Sequence, residues 1–204
     1  PGENSEQARE RLAAAEQDYD RAHALAESEN RSGALEGEQS LLLDATSGRR
    51  IVNHDLNPLK TLADGMQFEF AVQLQADAHF NVQLAKDFAK GLTAGCVMFE
   101  QGQIRSYQPG GTSEFEVARY DFAAGQKRFL VRLEFDVAAD RCWLTVFEAS
   151  QQQPLVDGVA VALNGWNPIG NANQGISFDA RTGSVVVIDG VHVRAPREAI
   201  SAIG

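Results

Sequence analysis

The hydrophobic positions of the chain follow two different periods, one before residue 30 and another beyond Gly37. Between Glu6 and about Glu29 there is no Gly or Pro, and Ala, Glu, Gln and Arg dominate, a composition that favours a helix. Apolar side chains recur there every three or four residues, as they do along one face of a helix. This stripe consists of Leu12, Ala15, Tyr19, Ala22 and Ala26. The pattern predicts a short N-terminal α-helix within a helix and linker segment over 1–36.

Beyond Gly37 the period changes to two, which is typical of strands with one buried face. The segment Met66–Leu74 alternates almost perfectly between apolar and polar residues. Further strand-like runs are Asn81–Leu84, Cys96–Glu100, Ile104–Tyr107, Phe115–Ala118, Phe129–Asp136, Cys142–Glu148 and Val185–Val193, with shorter ones at Ser40–Leu43, Leu155–Val159 and Ile176–Phe178. Most gaps between them are short and hold turn residues. These short strands with regular turn signals predict an all-β sandwich.

The predicted helix has too little apolar surface to indicate what it packs against. Its stripe covers only about two heptads and is mostly Ala. It fits the end of a longer coiled coil, a helix packed on the sandwich, or a linker helix between domains. Because short isolated helices are marginal in water, packing or linkage is favoured over a self-standing coiled coil.

Charge and length narrow the classes of partner. A chain of 204 residues is long enough for one sandwich with a substantial core. The formal net charge is −10, and basic residues stand singly beside acids, as at Lys86/Asp87 and Arg132/Glu134. Binding to nucleic acid or to an anionic membrane surface is therefore disfavoured. No apolar run approaches the roughly 18 residues that span a bilayer, so no membrane insertion is expected.

The two cysteines, Cys96 and Cys142, both lie in apolar strand-like runs. Neither has a Cys-x-x-Cys spacing, and no paired histidines accompany them, so a zinc site is not expected. They are interpreted as two small buried hydrophobic residues. A disulfide between two strands is the alternative, because the sequence does not give the distance between their Cα atoms.

The C-terminal half contains an ordered set of segments. Tyr120–Phe129 leads into the strand Leu130–Asp136, and the turn Ala139–Arg141 leads into the paired strand Cys142–Phe147. The set closes with Gly175–Phe178 and Gly183–Val193. This order resembles the laminin-G-like and concanavalin A-like jelly-roll modules of secreted bacterial multidomain proteins, although Gly190 stands where the closing strand of those modules commonly has Asn.

The resemblance spans roughly residues 40 to 194 and implies a two-sheet antiparallel jelly-roll sandwich over 37–195, followed by a tail over 196–204. It also implies a secreted or periplasmic protein of a bacterium, in which other domains of the parent protein accompany this module. The family includes sugar-binding modules, adhesion modules and glycoside hydrolases. The fold alone therefore leaves the function open.

One hydrolase family with this fold carries Glu-x-Asp-x-x-Glu on a strand in its cleft. Glu134 and Asp136 supply the first two acids here, but Ala139 stands where the second Glu belongs. Without that acid the proton donor of glycoside hydrolysis is missing. We therefore expect these acids to be surface residues and the module to be non-catalytic.

The best candidate for ligand binding is the loop from Asn164 to Gln174, where an aromatic residue stands among amides. An aromatic ring stacks on the apolar face of a sugar while amides bond its hydroxyl groups. The alternative is that the Trp of this loop folds under as a plug. The expected ligand-binding residues are Trp166, Asn167, Asn171 and Asn173, with Tyr107 beside Pro109-Gly110-Gly111 as a further surface candidate. Trp143 is expected in the core.

The resemblance suggests calcium as a possible cofactor, because related jelly rolls often hold it in acidic loops. Ca²⁺ requires six to eight oxygen ligands. Two oxygen-rich clusters are candidates, Asp136 with Asp140, and Asn171 with Asn173 and Asp179. Neither has the spacing of a known calcium loop.

Taken together, these patterns predict a non-catalytic module that binds carbohydrate or mediates protein contacts within a larger polypeptide. A glycan-acting hydrolase with unassigned acids is one alternative. A structural spacer, whose helix connects or oligomerises domains, is the other.

Overall fold

The computed structural model describes residues 40–55, 63–75, 77–122, 125–149, 151, 153–168 and 173–194. The helix and linker expected over 1–36 and the tail expected over 196–204 lie outside the described residues. The described strands are β1 (Leu41–Asp44), β2 (Arg50–Asp55), β3 (Gln67–Leu74), β4 (Phe80–Asp87), β5 (Leu92–Glu100), β6 (Gln103–Tyr107), β7 (Glu114–Arg119), β8 (Lys127–Asp136), β9 (Arg141–Glu148), β10 (Val156–Ala162), β11 (Gly175–Ala180) and β12 (Val185–Arg194).

The strands form two six-stranded sheets that pack face to face. The first sheet has the order β1-β12-β3-β8-β9-β10, and the second has the order β2-β11-β4-β5-β6-β7. Neighbouring strands are antiparallel throughout both sheets. The expected antiparallel jelly-roll sandwich is thus confirmed. Within the described ranges, no helix has the length and apolar character needed to cross a membrane.

Every strand-like run of the sequence corresponds to a strand, but β2 was not predicted. Its sequence, Arg-Ile-Val-Asn-His-Asp, has only two apolar residues and ends in three polar ones. Among the described strands, β2 lies at the edge of the second sheet and pairs with β11 alone. An edge strand does not need the continuous hydrophobic alternation of a central strand, because less of it is buried.

The core lies between the two sheets and is rich in aromatic rings. Phe178 on β11 packs against Phe68 and Phe70 of the first sheet, with ring centroids 6.3 and 5.2 Å away, and against Phe80 of its own sheet at 6.2 Å. Each of these rings alternates with polar or small neighbours along its strand, so the period of two in the sequence is the origin of this core.

Trp143 is on the opposite side of its strand from the one expected. Cys142 and Leu144 take the inward positions of β9 and are fully buried, so Trp143 projects from the outer face of the first sheet, where it is half-buried. The guanidinium carbon of Arg141 lies 4.5 Å from the centre of its ring, a cation–π arrangement. The expectation of a core Trp143 is therefore wrong, because the small Cys142 rather than the larger ring faces the second sheet.

Both cysteines are free thiols, as the interpretation as buried hydrophobic residues predicts, and no disulfide joins them. Cys142 faces the core from the first sheet, whereas Cys96 lies on the outer side of the second sheet and pairs in register with Gln83. Burial raises the pKa of both thiols above their ordinary value, that of Cys142 to about 12. Each thiol therefore stays protonated in the folded state at neutral pH.

The first and second sheets come into close contact where β10 passes β5. A Cβ atom placed on Gly95 would lie 2.2 Å from the carbonyl oxygen of Ala162. The side-chain amide of Asn164 also donates to the carbonyl of Ala94 at 2.6 Å, so the same pair of segments is joined by a hydrogen bond. Only glycine fits at position 95 without moving backbone.

Gly95→Ala is expected to destabilise the protein by about 1–3 kcal/mol or more, because the new methyl group overlaps a backbone oxygen that has no room to retreat. Urea unfolding monitored by circular dichroism measures the effect. Gly48→Ala is the matched control, since its Cβ meets nothing within 4 Å, and it should change stability by less than about 1 kcal/mol. Equal stability of the two variants would contradict the close approach.

Because both thiols are buried, we expect the free energy of unfolding to depend on pH in the alkaline range. A raised native pKa means that the unfolded chain loses the Cys142 proton above its ordinary pKa of 9.0 while the folded chain keeps it up to about 12. The free energy of unfolding should therefore fall as pH rises through this interval. Urea midpoints measured at about pH 8 and about pH 10.5 should differ less in Cys96→Ala/Cys142→Ala than in the unmodified chain. An undiminished difference would show that other groups cause the whole effect.

Candidate functional site

The loop that the sequence favours for ligand binding places its aromatic ring in the core. Trp166 is only 1% exposed, and its indole Nε1 donates to the carbonyl of Ala85 at 3.2 Å. Its ring centre lies 5.3 Å from that of Phe135. No face of the ring is left for a sugar. The stacking role expected of Trp166 is thus corrected to a plug between the sheets, because the indole satisfies its only donor inside the protein.

A side-chain amide and a carboxylate position this plug. Asn164 has a φ of 48° and Gly165 one of 66°, so the chain turns sharply before the Trp. The Nδ2 atom of Asn164 donates to the carbonyl of Ala94 at 2.6 Å and to that of Gly111 at 2.9 Å. The backbone N–H of Gly165 donates to Asp140 Oδ1. These bonds tie the loop to β5, to the β6–β7 turn and to the β8–β9 turn.

Two of the expected ligand-binding asparagines of the loop lie at the surface. Asn167 and Asn173 are exposed. The backbone N–H of Asn167 donates to Gln174 Oε1 at 3.3 Å, and the carbonyl of Asn173 accepts from the N–H of Phe88 at 2.8 Å. The two asparagines therefore stand beside the β4–β5 turn, at the end of the second sheet where β11 begins. Asn171 lies outside the described residues.

The expected calcium ligands Asp136 and Asp140 have structural roles in the β8–β9 turn. Asp136 Oδ1 accepts from the N–H of Ala139 at 3.1 Å, and its Oδ2 lies 3.0 Å from Arg141 Nε. Asp140 has a φ of 53° and accepts from the N–H of Gly165. Both carboxylates thus stabilise turns. In the described ranges, no three His, Cys, Asp or Glu side chains are grouped so that they could hold a metal ion.

The outer face of the second sheet carries polar side chains that are buried although they point away from the core. Asp179 is 0% exposed, Asn81 3% and Ser177 4%. Their strand neighbours Ile176 and Phe178 face inward, so these three residues must face outward. We call this surface the polar face; its members are Asn53, Asn81, Gln83, Thr93, Arg105, Tyr107, Glu114, Ser177 and Asp179, with Arg49 and Arg181 at one end.

Asp179 is the centre of a hydrogen-bonded network on this face. Arg49 donates to both carboxylate oxygens, from Nε at 2.7 Å and from Nη2 at 2.8 Å. The amides of Gln83 and Asn81 donate to Oδ2 at 3.3 and 3.4 Å. The bond to Asp179 raises the pKa of the Arg49 guanidinium. A buried carboxylate with a bidentate arginine and two amide donors has partners on both oxygens, and it holds the donors in place.

Two atoms of the network have no hydrogen-bond partner among the described residues, Asn81 Oδ1 and Arg181 Nε. Arg181 Nε lies 3.4 Å from Asp179 Oδ2, close enough for ionic attraction but not aligned for a hydrogen bond. Buried polar atoms are almost always satisfied in folded proteins. The network therefore provides partners for both oxygens of Asp179, but it leaves one acceptor, Asn81 Oδ1, and one donor, Arg181 Nε, without a hydrogen bond to a described residue.

The rest of the polar face is also ordered by contacts between strands. Thr93 Oγ1 donates to Gln83 Oε1 at 3.3 Å, and Ser177 Oγ donates to Asn53 Oδ1. Arg105 Nη2 lies 2.8 Å from Glu114 Oε2.

Tyr107, the remaining surface candidate of the sequence, does lie on the polar face, in register with Glu114. Its ring is half-buried. Burial, with smaller effects from Cys96 and Glu114, raises the pKa of its phenol. The phenol therefore stays protonated at neutral pH and remains a hydrogen-bond donor.

The sequence pointed only indirectly to this site. Asp179 was grouped with Asn173 as a possible oxygen cluster, but four residues of β11 separate Asp179 from the loop that ends at Gln174. Asn53 and Arg49 were missed because β2 was missed. The available signal was the alternation Ile176-Ser177-Phe178-Asp179, in which two polar residues occupy the outward positions of an otherwise buried strand.

Solved structures with a similar course of the chain share little sequence with it. A tetrameric galectin from the ball sponge Cinachyrella sp. aligns over 72% of this chain and 99% of its own, with 9% identity and a TM-score of 0.43. The catalytic domain of a glycoside hydrolase family 131 protein from Coprinopsis cinerea aligns over 67% and 59%, with 12% identity and a TM-score of 0.46. A galectin from Caenorhabditis elegans aligns over 76% and 96%, with 14% identity and a TM-score of 0.40.

No protein-family profile matches the chain, and no curated protein sequence does. The strand order of the two sheets defines the class of the protein as an antiparallel jelly-roll sandwich. The roles of its side chains are inferred from their positions and contacts in the structure.

Trp166→Ala is expected to destabilise the fold by about 3–5 kcal/mol, because it empties a fully buried site and removes the bond to Ala85. Trp143→Ala is the control, since that ring is half-exposed, and it should cost less than half as much. Thermal unfolding by calorimetry compares them. If Trp166→Ala instead left stability unchanged, the ring would not be the plug described above.

Proposed function

We propose that this module binds a carbohydrate on the polar face and does not hydrolyse it. The observation that carries the proposal is the network around Asp179, in which amides and a guanidinium are fixed on the outer side of a sheet. Sugar hydroxyl groups both donate and accept hydrogen bonds, and side chains of these types present complementary partners to them. The prediction of carbohydrate binding is kept, but its site moves from the Trp166 loop to the second sheet.

Pre-ordering of the polar side chains favours binding. Gln83 donates to Asp179 and accepts from Thr93, so its rotamer is fixed before any ligand arrives. A ligand that meets fixed groups does not have to order them, and less of the interaction free energy is lost as side-chain entropy. Selectivity follows too, because a pre-ordered polar site discriminates against molecules that lack a matching hydroxyl group.

Tyr107 gives the polar face apolar surface for the non-polar side of a sugar ring. Its half-buried ring stands two residues from Arg105. Cys96 and Met98, in register with Gln83 and Asn81, are buried between β4 and β6 and form the floor of this part of the face. A partly exposed aromatic ring beside amides suits a ligand that is polar at its edge and apolar on its face.

The arrangement of acids on the face supports a non-catalytic role. A glycosidase needs two carboxyl groups about 5–9.5 Å apart. Asp179 on β11 and Glu114 on β7 are four strand spacings apart, about 19 Å. Glu134 and Asp136 lie on the first sheet, where Gln67 Nε2 and Arg141 bond them. Three other acids of this sheet have basic partners of their own, Glu100 with His79, Glu114 with Arg105 and Glu116 with Arg119. A hydrolase that used one of them would need it to leave its partner and act with Asp179.

Tyr107 and the asparagines at the end of the second sheet indicate how far the proposed binding surface extends. Asn164 links its loop to the β6–β7 turn through the carbonyl of Gly111, four residues beyond Tyr107. The exposed Asn167 and Asn173 therefore stand at the rim of the polar face rather than at its centre. We assign them a secondary role in contacting a ligand that extends beyond the face.

Gln83→Ala is expected to weaken glycan binding at least about tenfold, because it removes one donor to Asp179 and the acceptor of Thr93. Gln73→Ala is the matched control: Gln73 is on the outer face of the first sheet and bonds only Gln126 among the described residues. Binding is measured on a glycan array and then by calorimetric titration of any glycan retained, with calcium present and chelated.

Loss of binding in Gln83→Ala with full binding in Gln73→Ala, both folded, supports the proposal. Equal weakening in both variants would place the site elsewhere. A blank array with folded protein would overturn carbohydrate binding and shift the function to protein contacts. Binding that needs calcium would add a metal ligand that Asp136 and Asp140, held in their turn, do not supply by themselves.

A further inference from the structure

The Asp179 end of the polar face has more positive than negative charge, in contrast to the chain as a whole. The carboxylate of Asp179 faces two guanidinium groups, those of Arg49 and Arg181, within a protein of net charge −10. Among the contacts of Asp179, one carboxylate against two guanidinium groups leaves a surplus of one positive charge. Glu100 belongs to a separate contact, with its Oε1 3.2 Å from His79 Nδ1.

The two arginines are not equivalent. Arg49 uses Nε and Nη2 on Asp179 and acts as its structural partner. Arg181 makes no hydrogen bond to Asp179, its Nε has no acceptor among the described residues, and 43% of its side chain is exposed. A partly exposed guanidinium that has an ionic contact to Asp179 but no hydrogen bond from its side chain to a described residue still has donors for an external anion.

The unpaired acceptor beside it restricts the class of anion. Asn81 Oδ1 is buried without a donor, and Asn81 Nδ2 bonds the same carboxylate oxygen that Arg181 Nε approaches. A ligand that completes both groups must bring a negatively charged acceptor and a hydroxyl donor close together. An acidic sugar has both, since a uronate carries its carboxylate next to ring hydroxyl groups.

We propose that the Arg181 and Asn81 end of the polar face is a subsite for the carboxylate and an adjacent hydroxyl group of a uronic acid. This inference rests on the proposed carbohydrate binding and names its substrate class, an acidic glycan. A carboxylate is planar and matches the guanidinium fork, whereas a densely sulfated chain is repelled by the overall negative charge. A single surplus charge suits one carboxylate at a time.

The test compares each acidic glycan with its own neutral form. Oligosaccharides containing glucuronate, galacturonate or mannuronate are titrated against the protein beside their carboxyl-reduced counterparts, in which each carboxylate has become a primary alcohol. We expect at least one uronate oligosaccharide to bind about tenfold or more tighter than its reduced form, since a charge-assisted bidentate contact is lost on reduction. This preference should shrink as salt concentration rises.

Three variants test whether the preference for the acidic glycan depends on Arg181. Arg181→Gln should abolish the preference for the acidic form, and Arg181→Lys should restore part of it. Arg194→Gln is the matched control, because Arg194 also pairs with a buried carboxylate, Glu69 at 3.0 Å, but on the first sheet. It should keep the full preference. Circular dichroism and thermal unfolding of all three verify that binding is compared between folded proteins.

The outcomes separate this inference from the proposed function. Binding of neutral glycans with no gain in affinity from any carboxylate overturns the uronate subsite and leaves carbohydrate binding in place. It would mean that water supplies the missing hydrogen bonds of Asn81 Oδ1 and Arg181 Nε. Arg181-dependent binding of an oligosaccharide that carries sulfate but no uronate, with no binding of the uronates, overturns the choice of carboxylate. Absence of binding to every glycan overturns both. An equal loss of preference in Arg181→Gln and Arg194→Gln would refute the location.

Discussion

The packing of Phe178 against rings from both sheets is the contact on which the polar face depends. Its ring lies between Phe70 of the first sheet, 5.2 Å away, and Phe80 of its own sheet, 6.2 Å away. Because side chains alternate along a strand, an inward Phe178 forces Ser177 and Asp179 outward. A shift of β11 by one residue would place the Asp179 carboxylate in an aromatic core, at a cost no hydrogen bond there could offset. The hydrophobic core thus selects the register that builds the polar network.

Much of the fold followed from the sequence because period-two alternation is a local property. It located eleven of the twelve described strands, and failed at β2, where Asn53 and His54 interrupt the apolar pattern at a sheet edge. Side-chain direction was harder. Cys142 and Trp143 are adjacent apolar residues on a strand expected to be internal, so the pattern did not show which of the two faces the core, and the expectation of an inward Trp143 was wrong.

The candidate site was much less visible, because its members meet only after folding. Arg49 and Asp179 are 130 positions apart, and no spacing in the chain relates them. The Trp166 loop, by contrast, has a composition that matches ligand loops, but the same Gly, Pro and Asn residues build a tight turn that carries the ring inward. Tyr107 was named as a surface candidate because it lies next to a turn in the sequence. Composition identifies residues suited to a task, whereas burial and pairing decide whether they face a ligand.

The pairing of β1 with β12 has a mechanical consequence. The two strands are antiparallel, with Leu41 opposite Ile188, so the start of β1 and the end of β12 point the same way along the first sheet. Tension applied at residues 40 and 194 would therefore open the strand pairs one rung at a time instead of shearing all their hydrogen bonds together. Such a sandwich resists heat through its core yet yields early to pulling at its ends, and β1, only four residues long, would detach first.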